Sequence, residues 1–116
     1  MSLQVTTCQH SPQVVVVRIG GVAEERLLLA LVDGIEAVAK SVPCVVVDVD
    51  ELVLFSATAV RSFVGQLLDR VDDGCVVFTA RRGTARQVLR RWGGRGVVIV
   101  GSADDADARC SARVAG

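Results

Sequence analysis

The stretch VVVDVDELVLFSATAVRSFVGQLLDRV, residues 45–71, decides how the chain is read. Its opening valines form a short apolar run of the kind found in a strand buried on both faces. An acidic and apolar connector follows. The apolar positions Val60, Phe63, Val64, Leu67, Leu68 and Val71 then recur at i, i+3, i+4, i+7, i+8 and i+11, which is the stripe of an amphipathic helix. Two hydroxyls, Ser56 and Thr58, stand where that helix begins. A helix start offers unpaired backbone N–H groups and the positive end of the dipole, so a phosphate added there is held. Ordinary N-capping is the plain reading of the same two residues.

Working outward, Leu3–Thr7 and Gln13–Ile19 read as two strands joined by a turn around His10, Ser11 and Pro12, with Gly20 and Gly21 ending the second. A helix fits residues 22–41, with Leu28, Leu31, Val32, Ile35 and Val38 on one face; Gly34 interrupts its propensity, and Val42 and Pro43 stop it. Cys44–Val49 is the third strand. The second helix begins at Ser56 and closes at Gly74. Cys75–Thr79 is a fourth strand, residues 84–92 a third helix, and Gly96–Val100 a fifth strand. Ser102 caps a short last helix, with Asp104 and Asp105 in its first turn. Strands three to five alternate with helices and are expected to be parallel with right-handed crossovers; the first two form an antiparallel hairpin. The expectation is one α/β domain over residues 1–116, a mixed, mostly parallel sheet of about five strands with about four helices.

Composition narrows the function classes. Hydrophobic residues make up 51% of the chain, so global disorder is excluded, and 24 valines favour buried strands. Thirteen basic residues balance thirteen acidic ones, which removes any overall electrostatic case for nucleic acid or a membrane surface. The longest apolar runs are about six residues, against the roughly 20 a spanning helix needs, and the first ten residues lack the pattern of a signal peptide. A cytoplasmic protein with reduced cysteines is expected. Cys8-x-His10 is no metal site in a chain with one His and no CxxC, and no glycine-rich nucleotide loop is present. No cofactor is expected. Without an activated nucleophile or a carboxylate pair in a cleft, the sequence supplies no enzymatic reaction.

The order of strand, acidic-apolar connector, hydroxyl-rich helix start and amphipathic helix resembles the STAS domain, the family that includes bacterial anti-sigma factor antagonists. The family's strand ends in an aspartate, here Asp48. Its Asp-Ser-Ser/Thr-Gly helix start falls on Ser56, Ala57, Thr58 and Ala59. The family's aspartate is therefore Ser56 and its glycine Ala59. Where the family often carries Gly-Glu-Leu-Asp after the second strand, this chain has Gly21, Val22 and Ala23, with Glu24 the nearest acid. The resemblance implies a STAS-like fold and a stoichiometric binder of an anti-sigma factor. That partner is a serine-threonine kinase of histidine-kinase-like ATPase fold, and its capture releases a sigma factor in a stress response. It implies Thr58 as phosphoacceptor, with Ser56 as second choice. The partner-binding residues it implies are Gly21, Val22, Ala23, Glu24, Leu54, Phe55, Ser56, Ala57, Thr58, Arg61 and Ser62. A monomer or weak dimer is expected.

Three other readings accompany this one. Arg81, Arg82, Arg86, Arg90, Arg91 and Arg95 crowd the third helix; they read as a solvated face or as a contact for an acidic partner. Cys44, Cys75 and Cys110 converge on the amino-end edge of the sheet, either as small hydrophobes or as a redox pair, Cys75–Cys110 or Cys44–Cys75. The missing carboxylates around the Ser56–Ala59 helix start give the alternative of a phosphorylation-independent antagonist, constitutive or thiol-regulated, or a scaffold subunit of a larger sensing complex. An aspartyl-phosphate receiver built on Asp48 and Asp50 lacks the late lysine such a pocket needs, since the only lysine is Lys40.

Overall fold

The computed structural model describes residues 3–22, 24–53, 57–71, 76–80, 83–92 and 97–115. Its elements run β1 (Gln4–Ser11), β2 (Val14–Val22), α1 (Glu25–Ser41), β3 (Cys44–Val53), α2 (Ala57–Arg70), β4 (Val76–Thr79), α3 (Gly83–Trp92), β5 (Ile99–Val100) and α4 (Ala103–Ala115). The five strands form one sheet in the order β1-β2-β3-β4-β5. β1 pairs antiparallel with β2, and every other neighbouring pair is parallel. This is the mixed, mostly parallel sheet expected from the alternation of strands and helices.

The two faces of the sheet carry two apolar clusters, divided by strand alternation. Val15, Val17, Ile19, Val45, Val47, Val49, Val76 and Phe78 pack with Leu28, Val32 and Ile35 of α1, five residues of α2 from Ala59 to Leu67, and Leu89 of α3. Val14, Val16, Cys44, Val46 and Val77 pack against Ala106 and Cys110 of α4. Three helices therefore cover one face and a single helix covers part of the other. The apolar stripe quoted at the outset seats α2: Val60, Phe63, Val64 and Leu67 are all buried, while Leu68 and Val71 are partly so.

Element boundaries depart from expectation at the hairpin and at the ends of β2 and β3. β1 continues to Ser11 and the turn moves to Pro12–Gln13, where the Ser11 hydroxyl accepts the Gln13 N–H at 3.2 Å and closes the turn locally. β2 does not stop at its glycines. Gly20 and Gly21 stay in the sheet opposite Glu51 and Leu52, because β3 itself runs on to Val53 and supplies partners. Gly21 has φ 103°, a conformation its missing Cβ permits. α1 starts three residues later than expected and passes through Gly34 unbroken. It ends where Val42, placed before Pro43, takes extended angles (φ −137°, ψ 153°). β5 is reduced to Ile99–Val100, and α4 is a full 13-residue helix capped by Ser102, whose hydroxyl accepts the Asp105 N–H at 3.2 Å.

β3 also holds a register shift between its pairs with Arg18 and Gly20, where one extra residue is accommodated. Asp48 fixes it. Its Oδ1 accepts the Asp50 N–H at 3.0 Å, and its Oδ2 accepts from Arg18 Nε at 3.2 Å across the β2–β3 pair. The shift explains the burial pattern. Val45, Val47 and Val49 alternate toward the three-helix face, but the next buried residue is Leu52. Asp48 thus holds the backbone of β3 at the register shift.

Candidate functional surface

The carboxyl ends of β2 and β3 leave the sheet side by side, since Val22 is the register partner of Val53. Each strand leads into a helix, α1 and α2, and the starts of those helices are joined: the Ser62 hydroxyl donates to Glu25 Oε1 at 2.8 Å. Arg70, the last residue of α2, makes an ion pair with Asp33, midway along α1. One continuous surface is therefore built from the ends of two neighbouring strands and the opening turns of two neighbouring helices.

The burial of α2 decides what that surface presents. Ala59 and Val60 turn into the core, while Thr58 and Arg61 are exposed and Ser62 is half-buried. Thr58, Arg61 and Ser62 line one shallow depression. Thr58 is the second residue of α2, within the turn whose N–H groups have no partner inside the helix. Arg61 lies three residues on, on the same side of the helix. A group of negative charge attached to Thr58 would meet both the amino end of the dipole and a guanidinium.

Of the residues singled out in the sequence, Gly21 and Val22 are half-buried at the end of β2, and Glu24 is exposed directly before α1. Ala57 opens α2. Ala23, Leu54, Phe55 and Ser56 lie outside the described residues, as do Cys75, Arg81, Arg82 and Arg95. Arg86, Arg90 and Arg91 are exposed on α3. Cys44 and Cys110 are buried in the cluster beneath α4, and the Cys110 Sγ lies 3.7 Å from Gln13 Oε1. The sequence reading missed Val53. At 50% exposure it is one of two large hydrophobic residues left open among the described residues, and it borders the paired strand ends. An apolar residue left exposed at a strand end beside an exposed helix start is the kind of feature a docking surface supplies. Its signal in the sequence was hidden by the register shift, which reverses the alternation after Asp48.

Among the described residues no group of three or more His, Cys, Asp or Glu side chains could hold a metal ion, and no helix is long and apolar enough to cross a membrane.

No protein-family model and no curated protein sequence matches the chain. Solved structures do. An anti-sigma factor antagonist from Mycobacterium paratuberculosis superposes with a TM-score of 0.74 over 95% of each chain, at 20% sequence identity. The anti-sigma factor antagonist SpoIIAA in its unphosphorylated form superposes with a TM-score of 0.61, covering 94% of this chain and 97% of that one at 13% identity. The phosphorylated form of the Bacillus cell fate determinant SpoIIAA gives a TM-score of 0.56 at 14% identity, over 91% of this chain and 98% of that one. The chain has the fold of these antagonists across nearly its whole described length, as the resemblance of its 45–71 stretch implied.

Proposed function

We propose that the protein is an anti-sigma factor antagonist, a stoichiometric binding protein controlled by phosphorylation at Thr58. The observation that carries this reading is the placement of Thr58: exposed, in the first turn of α2, beside Arg61 and Ser62, at the meeting point of two strand ends and two helix starts. The shared fold of solved antagonists, one of them solved in unphosphorylated and phosphorylated forms, supports it.

In the unmodified protein the partner is an anti-sigma factor of histidine-kinase-like ATPase fold. It covers Thr58, Arg61, Ser62, the connector before α2 and the Gly21–Glu24 segment, and Val53 supplies apolar contact at the edge. Capture of that factor frees its sigma factor. The same partner acts as the kinase. Phosphorylation adds roughly −1.5 to −2 charges at the centre of the contact. Arg61 and the N–H groups of α2 hold the phosphate on this protein, so the added charge stays in the interface and the partner must desolvate it to remain bound. Release follows. Ser56 stands where the family carries Asp, so that position brings no carboxylate to the acceptor. Arg61 therefore meets the incoming phosphate without a competing anion from that position.

Mass spectrometry of the protein recovered from its source cells before and after stress tests the acceptor assignment. One phosphate on the peptide carrying Thr58, changing in occupancy with stress, is the expected result. Phosphate confined to other residues overturns the assignment.

A further inference from the structure

The sheet face covered by α4 is only partly covered. α4 runs back over Val14, Val16, Cys44, Val46 and Val77. Next to its first residues, a cavity of about 180 Å³ is left open over the carboxyl half of the sheet. One register row crosses its floor: Arg18 on β2 pairs with Asp48 on β3, and Asp48 pairs with Thr79 on β4. Val16, Val46 and Ala103 supply apolar walls, and Cys8, His10 and Ser102 complete the rim.

Two donors of this cavity, the Thr79 hydroxyl and the terminal nitrogens of Arg18, have no protein partner among the described residues. Thr79 is only 5% exposed, and its hydroxyl makes no hydrogen bond among the described residues. No fully enclosed side-chain polar atom of the described residues lacks a partner, and Thr79 is one of the residues that line the cavity. A nearly buried, unbonded hydroxyl is costly unless water or a ligand satisfies it. Arg18 is oriented by Asp48 through Nε alone, which leaves the terminal guanidinium nitrogens without a partner among the described residues. The Asp48 carboxylate is already engaged at both oxygens, by Asp50 N–H and by Arg18. His10 is held by Asp104, which is itself 88% exposed at the rim. The first turn of α4 faces the same space through Ser102 and Ala103.

We propose that this cavity is a binding site for a small oxyanion, a phosphate or carboxylate group carrying at most a short organic remainder. The Arg18 guanidinium, the Thr79 hydroxyl and the amino end of α4 receive the charged head, and Val16, Val46 and Ala103 contact the remainder. Asp48 positions Arg18 rather than contacting the ligand. The site lies on the face of the sheet opposite α2, so it stands independently of the reading of Thr58.

The test is a titration of the full chain with inorganic phosphate and, separately, with acetate, followed by amide chemical shifts. The expected result is saturable shifts at Arg18, Thr79, Ser102 and Ala103 at millimolar concentration of at least one anion; the anion that binds identifies the head group. Thr79→Val keeps the side-chain shape and removes the hydroxyl, and Arg18→Gln removes the guanidinium. Each is expected to weaken binding about 10-fold or more while the remaining amide shifts report an unchanged fold. Absence of saturable shifts at these four residues with both anions overturns the proposal. So does equal affinity in the wild type and both variants.

Discussion

The Ser62 hydroxyl and the Glu25 carboxylate, 2.8 Å apart, tie the second turn of α2 to the first turn of α1. Two segments separated by 37 residues thereby present a single surface. The bond is exposed, so its net contribution is small, about 0.5–1.5 kcal/mol. Ser62→Ala and Glu25→Ala should each lower stability by no more than that. A double-mutant cycle by urea unfolding should return a coupling of about 0.5 kcal/mol or more. Strict additivity would show that the two helix starts are held by packing alone.

Asp48 and Arg18 form an ion pair, but their substitutions should differ in cost. Arg18 is 57% exposed on its side chain and Asp48 only 16%. Arg18→Ala loses a solvent-screened contact, about 0–1 kcal/mol. Asp48→Ala additionally strips the acceptor from the Asp50 N–H within the β3 register shift and should cost about 1–3 kcal/mol. Urea unfolding of the two variants checks the order; a larger loss for Arg18→Ala would contradict the role given to Asp48.

Two glycines should respond with opposite signs to alanine. Gly34 sits inside α1, exposed, with nothing within 4 Å of where a Cβ would stand. Gly34→Ala should stabilise by about 0.5–1 kcal/mol. Gly21 holds φ 103° opposite Leu52, and Gly21→Ala should destabilise by about 1 kcal/mol or more. Melting temperatures moving in the same direction would contradict these backbone assignments.

The α2 stripe from Val60 to Val71 was fully legible because it follows one period without interruption, and the alternation of strands with helices placed β3, β4 and β5 in parallel. What the sequence concealed lies in tertiary pairing. Gly20 and Gly21 read as a strand end, yet the extension of β3 keeps them in the sheet, and no local signal at Gly20 reports on Leu52. Asp48 read as a motif position; its work as a lock on the register shift depends on Arg18, 30 residues earlier. Thr79 read as the last residue of a strand. Only the register that sets it beside Asp48 and Arg18, and the path of α4 that stops short of covering it, show that its hydroxyl opens into a cavity. Of the candidate surface, Thr58, Arg61 and Ser62 could be assigned to the exposed side of α2 from periodicity alone. Their junction with Glu25 could not.

The most direct test of the central claim is a pull-down from lysate of the source organism with wild type and Thr58→Glu, each captured protein identified by mass spectrometry. Capture of an anti-sigma factor of histidine-kinase-like ATPase fold by wild type, with at least a ~10-fold loss in the Glu variant, is the predicted result. Equal capture of that factor by both proteins would contradict control through Thr58, and failure of wild type to capture it would contradict the antagonist function itself.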